Sequence, residues 1–147
     1  MSIVAWNCRG LELTLAVCIL TDEVRTRDPL LVFLAETKAS GRIKGIQAKL
    51  NFMQGIVVPS DRRSGGFALL WTEGIDVTFQ SCSNTYIDVV VRESSASIPW
   101  RATGFYGQPK TKKHYISWQL LDTLNAQCDM SWIVFGDFNE IVHPSEK

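Results

Sequence analysis

The sequence predicts one α/β or α+β domain in which strands alternate with covering helices, and three patterns carry that prediction. Residues 3–6, 30–35 and 132–135 are unbroken apolar runs, each stopping at a polar residue or a glycine. That is the form of a short strand buried on both faces. Residues 75–80 alternate apolar with polar, the form of a strand with one wet face. Between such segments lie longer stretches whose apolar residues recur at helical spacing.

In chain order, residues 2–7 read as the first strand and about 12–26 as a helix with Leu11, Leu15 and Cys18 or Ile19 on its apolar stripe. Asp28-Pro29 should end that helix, because a residue before proline is pushed out of the helical region. Residues 30–36 form the second strand. A short helix over 41–50 follows, with Ile43, Ile46 and Leu50 on one side and Arg42, Lys44 and Lys49 elsewhere. Residues 52–58 resume strand character before a polar loop, 59–66, that closes on Gly65-Gly66. Strands then follow at 67–71, 75–80 and 86–92, joined by short turns that favour antiparallel pairing. In the strand at 100–106, Trp100, Ala102, Gly104 and Tyr106 share a face, which stands a phenol at the strand's end. A helix from Lys110 to about Cys128 should turn Tyr115, Trp118, Leu121 and Leu124 toward the sheet.

A chain of 147 residues can bury a sizeable core. Its 46% apolar and 20% charged residues are those of an ordinary water-soluble domain. Net charge is zero, so the bulk composition lacks the basic footprint of a nucleic-acid binder, and any attraction to phosphate must be local. The cysteines Cys8, Cys18, Cys82 and Cys128 are scattered without a C-x-x-C pair, as incidental thiols of a reducing compartment are. The apolar stretch 13–20 lacks a small-x-small cleavage site and is too short to span a bilayer, so a nuclear or cytoplasmic, non-secreted protein without a membrane partner is expected.

Three of the buried-strand candidates finish in oxygen-bearing side chains: Asn7, Glu36, and the pair Asp137 and Asn139. Asp137 and Asn139 lie one residue apart and point the same way if the backbone stays extended. Polar groups at the mouth of a buried strand are costly unless water, a metal or a substrate meets them. If these strands lie side by side in one orientation, the four groups converge on one rim. Their hard oxygen donors suit Mg²⁺, with Mn²⁺ as the alternative, far better than zinc.

The strings W-N-C-R-G at 6–10, F-L-A-E-T-K at 33–38, G-F-Y-G at 104–107 and G-D-F-N-E-I at 136–141 resemble the endonuclease/exonuclease/phosphatase superfamily, the DNase I-like fold. With G-G-F-A-L-L-W at 65–71 and P-S-E-K at 144–147, the wording is most similar to the endonuclease domain of plant LINE-type non-LTR retrotransposons. The resemblance runs through the whole chain and implies two packed mixed β-sheets with helices outside. It also implies that residues 1–147 are the N-terminal two-thirds of such a domain, truncated before its C-terminal part.

By the same resemblance, Glu36 and Asn7 hold Mg²⁺, Asp137 orients or deprotonates the attacking water, Asn139 hydrogen-bonds that water or the phosphate, and Tyr106 contacts the scissile phosphate. Arg9 departs from the repair-type members, which carry an aspartate there. Arg62, Arg63, Lys110, Lys112 and Lys113 are either solvated loop charges or contacts to the DNA phosphodiester backbone. The superfamily's Ser-Asp-His triplet occurs nowhere in the chain. The implied function is metal-assisted nicking of target DNA, with a reverse transcriptase domain downstream in a complete element and little activity from these residues alone. Two other readings stand beside it: a non-catalytic transposon-derived remnant, and a phosphatase or phospholipase of the same superfamily.

Overall fold

The computed structural model describes residues 2–9, 14–38, 43–52, 54–59, 65–107 and 110–139. The chain runs β1 (Ile3–Asn7), α1 (Thr14–Arg27), β2 (Leu31–Ala35), α2 (Ile43–Leu50), β3 (Gln54–Val58), β4 (Phe67–Trp71), β5 (Asp76–Cys82), β6 (Tyr86–Arg92) and β7 (Trp100–Tyr106). A 3₁₀ turn (Thr111–Lys113) then leads into α3 (His114–Asn125) and β8 (Trp132–Asp137). Two four-stranded sheets result, ordered β1-β2-β4-β3 and β5-β6-β7-β8. Both are mixed, because β1 pairs parallel to β2 and β7 parallel to β8 while every other pairing is antiparallel.

Strand β2 shows why its sequence is apolar at every position. Val32 and Leu34 enter a cluster with Val17, Leu20 and Val24 of α1 and Ile43, Ile46 and Leu50 of α2. Leu31, Phe33 and Ala35 enter a second cluster with Ile87, Val89, Val91 and Ala102 of the other sheet. Successive side chains of a strand alternate between faces, so a strand with helices on one side and a sheet on the other needs apolar residues throughout. The second cluster is the interface between the sheets. Phe33 lies at its centre, stacked on Phe67 and edge-on to Phe135, each at 6.0 Å between ring centroids. Opposite it stands Gly104, where a methyl group would come within 2.3 Å of the Phe33 ring.

The outer face of the second sheet is held by a buried ion pair. Arg101 of β7 donates from Nε and Nη2 to the Asp88 carboxylate of β6, the Nη2 bond being 2.8 Å. Its Nη1 donates to the Leu124 carbonyl of α3, which docks the helix. Thr103 donates to Asp88 at 2.6 Å and accepts from the Trp132 indole at 2.8 Å, so the network reaches the start of β8.

Four local expectations are corrected. The buried stripe of α1 is Val17, Leu20 and Val24, while Leu15, Cys18 and Ile19 are exposed. On α3 the buried residues are Ser117 and Leu124, and Tyr115 and Trp118 are exposed; the helix docks on the second sheet through the Leu124 carbonyl, which accepts from Arg101. Strands β1 and β8 are only partly buried, since among the described residues each forms an edge of its sheet. In β5 a bulge between Phe79 and Ser81 breaks the alternation and leaves Phe79 exposed. The short helix is as expected, with Ile43, Ile46 and Leu50 all buried. No helix among the described residues is long and apolar enough to cross a membrane.

Gly104→Ala should lower stability by about 1–3 kcal/mol, the usual range for overpacking a tight core. Gly45→Ala at an exposed position of α2, where nothing lies within 4 Å of an added methyl, should raise it by about 0.5–1 kcal/mol. Urea midpoints at unchanged slope measure both, and a neutral Gly104→Ala would contradict the close approach of the sheets.

Candidate active site

Parallel pairing places the ends of four strands on one rim. Asn7 lies opposite Ala35 at the ends of β1 and β2, and Tyr106 opposite Asp137 at the ends of β7 and β8. Glu36 follows β2 directly. Two hydrogen bonds then cross from one sheet to the other. Asn7 Nδ2 donates to Asp137 Oδ2 at 2.9 Å, and the Tyr106 hydroxyl donates to Glu36 Oε1 at 2.8 Å. The expected convergence of Asn7, Glu36, Asp137 and Asn139 is met, but from two facing sheets rather than from strands lying side by side, and Tyr106 joins them.

Three of these side chains are held by further contacts. Asn7 Oδ1 accepts from the Arg9 amide at 3.1 Å, which orients its own amide group. Asp137 Oδ1 accepts from the Asn139 amide at 2.9 Å. Asn139 Nδ2 donates to the Gly107 carbonyl at 2.6 Å. Asp137 and Asn139 do not sit side by side on an extended strand, as the sequence suggested. Asn139 adopts a left-handed φ of 53°, and the chain folds back through an Asx-type turn on the Asp137 carboxylate. Of the non-glycine residues with positive φ among those described, Arg9, Glu36, Lys38 and Asn139 all belong to this rim.

The glycines here have steric reasons. Gly136 has a φ of 139°, and a Cβ on it would meet the Phe105 carbonyl at 2.0 Å. A Cβ on Gly107 would meet the Phe138 carbonyl at the same distance. Gly107 also donates its amide to the Asp137 carbonyl at 2.7 Å. Its role in holding Asn139 was not read from the sequence, although the G-F-Y-G string contained it. Gly65 and Gly66 accept from the amides of Lys38 and Thr37, tying down the turn that carries Glu36.

Electrostatics at the rim follow from burial and the carboxylates. Burial is the main cause that pushes the Tyr106 phenol above its ordinary value, and the Glu36 and Asp137 charges add to it, while Asn139 opposes. Burial, with Glu36 second, pushes the Cys8 thiol up to about 12. Cys8 therefore stays a neutral thiol at physiological pH. All four cysteines are free.

The basic residues are less tied. Arg9 is exposed, and it is its backbone that contacts Asn7. Lys110, Lys112 and Lys113 are exposed on the turn between β7 and α3, with no bond joining them to the rim among the described residues. Arg62 and Arg63 lie outside the described residues.

Two mixed sheets packed face to face, with carboxylates, amides and a phenol gathered at the ends of their parallel strands, define a DNase I-like α/β sandwich. The chain belongs to the endonuclease/exonuclease/phosphatase family, whose sequence profile matches residues 4–146. The catalytic domain of human Nocturnin superposes with a TM-score of 0.72 at 15% identity, over 95% of this chain and 64% of that one. Truncated TDP2 of Caenorhabditis elegans superposes with a TM-score of 0.61 at 16% identity, over 95% and 62%. The endonuclease domain of TRAS1, a telomere-specific non-LTR retrotransposon, gives a TM-score of 0.67 at 17% identity, over 95% and 61%. The chain thus spans less than two thirds of the length of each. No curated protein matches it by sequence.

The Tyr106 titration offers a check on the rim. Its folded pKa lies above the unfolded value of 10.0, so the stabilisation it reflects is present below that pH and is lost as pH rises through the folded pKa. In EDTA, Glu36→Gln should lower the Tyr106 pKa by removing one charge, without returning it fully, because burial remains. A ring-carbon NMR titration, with Tyr106→Phe to assign the signal, measures this. No change on Glu36→Gln would place the carboxylate away from the phenol.

Proposed function

We propose that this rim is the metal- and phosphate-binding part of a Mg²⁺-dependent endonuclease site of retrotransposon origin, which nicks DNA by activating water. The observation that carries the reading is the pair of cross-sheet hydrogen bonds, Asn7 to Asp137 and Tyr106 to Glu36. The likeness to the TRAS1 endonuclease domain supports the retrotransposon branch.

The donor set fits a hard cation, since it offers two carboxylates, amide oxygens and a phenol, and the nearby Cys8 thiol is held neutral. Mg²⁺ is commonly held by one or two carboxylates and keeps several waters, and Glu36 and Asp137 supply two carboxylates at the rim. Glu36 and Asn7 would hold Mg²⁺ or Mn²⁺, which when bound neutralises charge on the phosphate and leaving oxygen.

The chain's own side chains supply the rest. Asp137 is oriented through both oxygens, by Asn7 and by the Asn139 amide, and its remaining lone pairs accept a proton from the attacking water. Asn139 is aimed by Gly107 and keeps its carbonyl oxygen and second N–H for water or phosphate. The Tyr106 phenol stays neutral and can pass its hydrogen bond from Glu36 to a phosphate oxygen. Arg9, Arg62, Arg63, Lys110, Lys112 and Lys113 contact flanking phosphates without reading bases. The superfamily's Ser-Asp-His work falls to a segment outside these residues, and a reverse transcriptase domain accompanies the complete element.

Two measurements test this. Mg²⁺ should raise the melting temperature of the wild-type chain, and Glu36→Gln should lose that shift while melting normally in EDTA. An equal response in both would remove Glu36 from the metal site. A positioned acid–base group contributes about 10² to 10⁴ in rate, so the 147 residues alone should nick supercoiled plasmid poorly. Fusion to the C-terminal segment of an intact relative should restore Mg²⁺-dependent nicking, and Asp137→Ala should abolish it. Efficient nicking by the 147 residues alone, lost in Asp137→Ala, would show that the histidine is not needed.

A further inference from the structure

The outward face of α3 carries two exposed aromatic rings. Tyr115 is 59% exposed and Trp118 50% exposed, while Ser117 and Leu124 occupy the buried side. Residues three apart on a helix are neighbours, with about 5–6 Å between their Cβ atoms. Just ahead of them Lys110, Lys112 and Lys113 are exposed on the turn that leaves β7. Helix α3 returns the chain from the end of β7 to the start of parallel β8, so its first turn is the end nearest the candidate site.

We infer that this face binds an unpaired nucleic-acid strand continuing from the candidate site, with the lysines on phosphates and Tyr115 and Trp118 stacked on successive bases. Cationic side chains interleaved with exposed rings are how single strands are held without sequence preference. A protein partner fits less well, because interface cores are enriched in aromatics but depleted of lysine. Asp122, exposed one turn beyond Trp118, repels phosphate and limits the path to the first two turns. The inference rests on the phosphodiester reading for the origin of the strand, and extends it from duplex backbone to unpaired bases.

The test uses the full chain in EDTA, with fluorescence anisotropy of a labelled oligothymidylate about a dozen nucleotides long, the matching oligouridylate, and a blunt duplex of equal length. Both single strands should bind more tightly than the duplex. Tyr115→Ala and Trp118→Ala should each weaken oligothymidylate binding about 5- to 100-fold, and Tyr115→Phe should restore it. Replacing Lys112 and Lys113 with alanine should flatten the slope of log affinity against log salt by about one to two. Because Tyr115 is largely exposed, its variants should keep the wild-type melting temperature. Wild-type affinity in both alanine variants, or equal affinity for duplex and single strand, overturns the inference. So does self-association that Tyr115→Ala abolishes while oligothymidylate binding is untouched, which would make the face a protein contact. EDTA separates this from the nuclease reading: single-strand binding without any Mg²⁺ response supports the inference and counts against the metal site alone.

Discussion

The candidate site exists because the two sheets approach closely enough for short side chains to join across the gap. Packed sheets ordinarily lie about 10 Å apart. Asn7 and Asp137 are among the shortest polar side chains, yet they meet at 2.9 Å from opposite sheets. The spacing is set in the apolar layer below, where Phe33 fills the interface and Gly104 leaves room for its ring. Any side chain at position 104 larger than hydrogen must move Phe33 or part the sheets. The polar rim therefore depends on a hydrophobic contact, one layer removed from the chemistry.

A second constraint holds the far end of the same strands. Asp88, Arg101, Thr103 and the Trp132 indole form a closed set of hydrogen bonds beneath α3, in which the guanidinium also lies 4.9 Å from the Trp132 ring. A buried ion pair is weak evidence for stability, since desolvation offsets much of the attraction. Its geometry does specify alignment. Arg101 sits opposite Trp132, and five residues further along the same register Tyr106 sits opposite Asp137. A slip of one residue would turn every side chain of β8 to the other face and carry Asp137 away from Asn7.

Much of this was legible in the sequence. Buried strands are marked by apolar composition, so β2 and β4 were placed almost to the residue, and the polar stops after β1, β2 and β8 marked the rim. Helix faces were harder. In α3 the period picked out Tyr115, Trp118, Leu121 and Leu124, but apolar residues at regular spacing cannot reveal that the helix docks through a backbone carbonyl on Arg101 and buries Ser117 with Leu124. In α1 two overlapping stripes exist, and the one with β-branched Val17 and Val24 is buried while Leu15 is not. The turn at Asn139 was also illegible, because an extended and a left-handed asparagine look alike in sequence.

Backbone strain gathers where the polar groups gather. A left-handed conformation costs a non-glycine residue about 1–2 kcal/mol, and Arg9, Glu36, Lys38 and Asn139 all adopt it within one rim. Asparagine tolerates that region better than most residues, but glutamate, lysine and arginine do not share its short amide. Glu36 takes a φ of 52° directly after a strand in which every residue is buried. Had the strand simply continued, the next alternation would have sent Glu36 to the face of Val32 and Leu34, into the helix-packed core. The left-handed turn instead delivers its carboxylate to Tyr106 across the sheets. Strain of this kind persists only where surrounding contacts over-determine it, and here the Gly65 and Gly66 carbonyls clamp the two residues that follow. The glycine pair preceding β4 thus acts on the candidate site at one remove, by fixing the turn that aims Glu36.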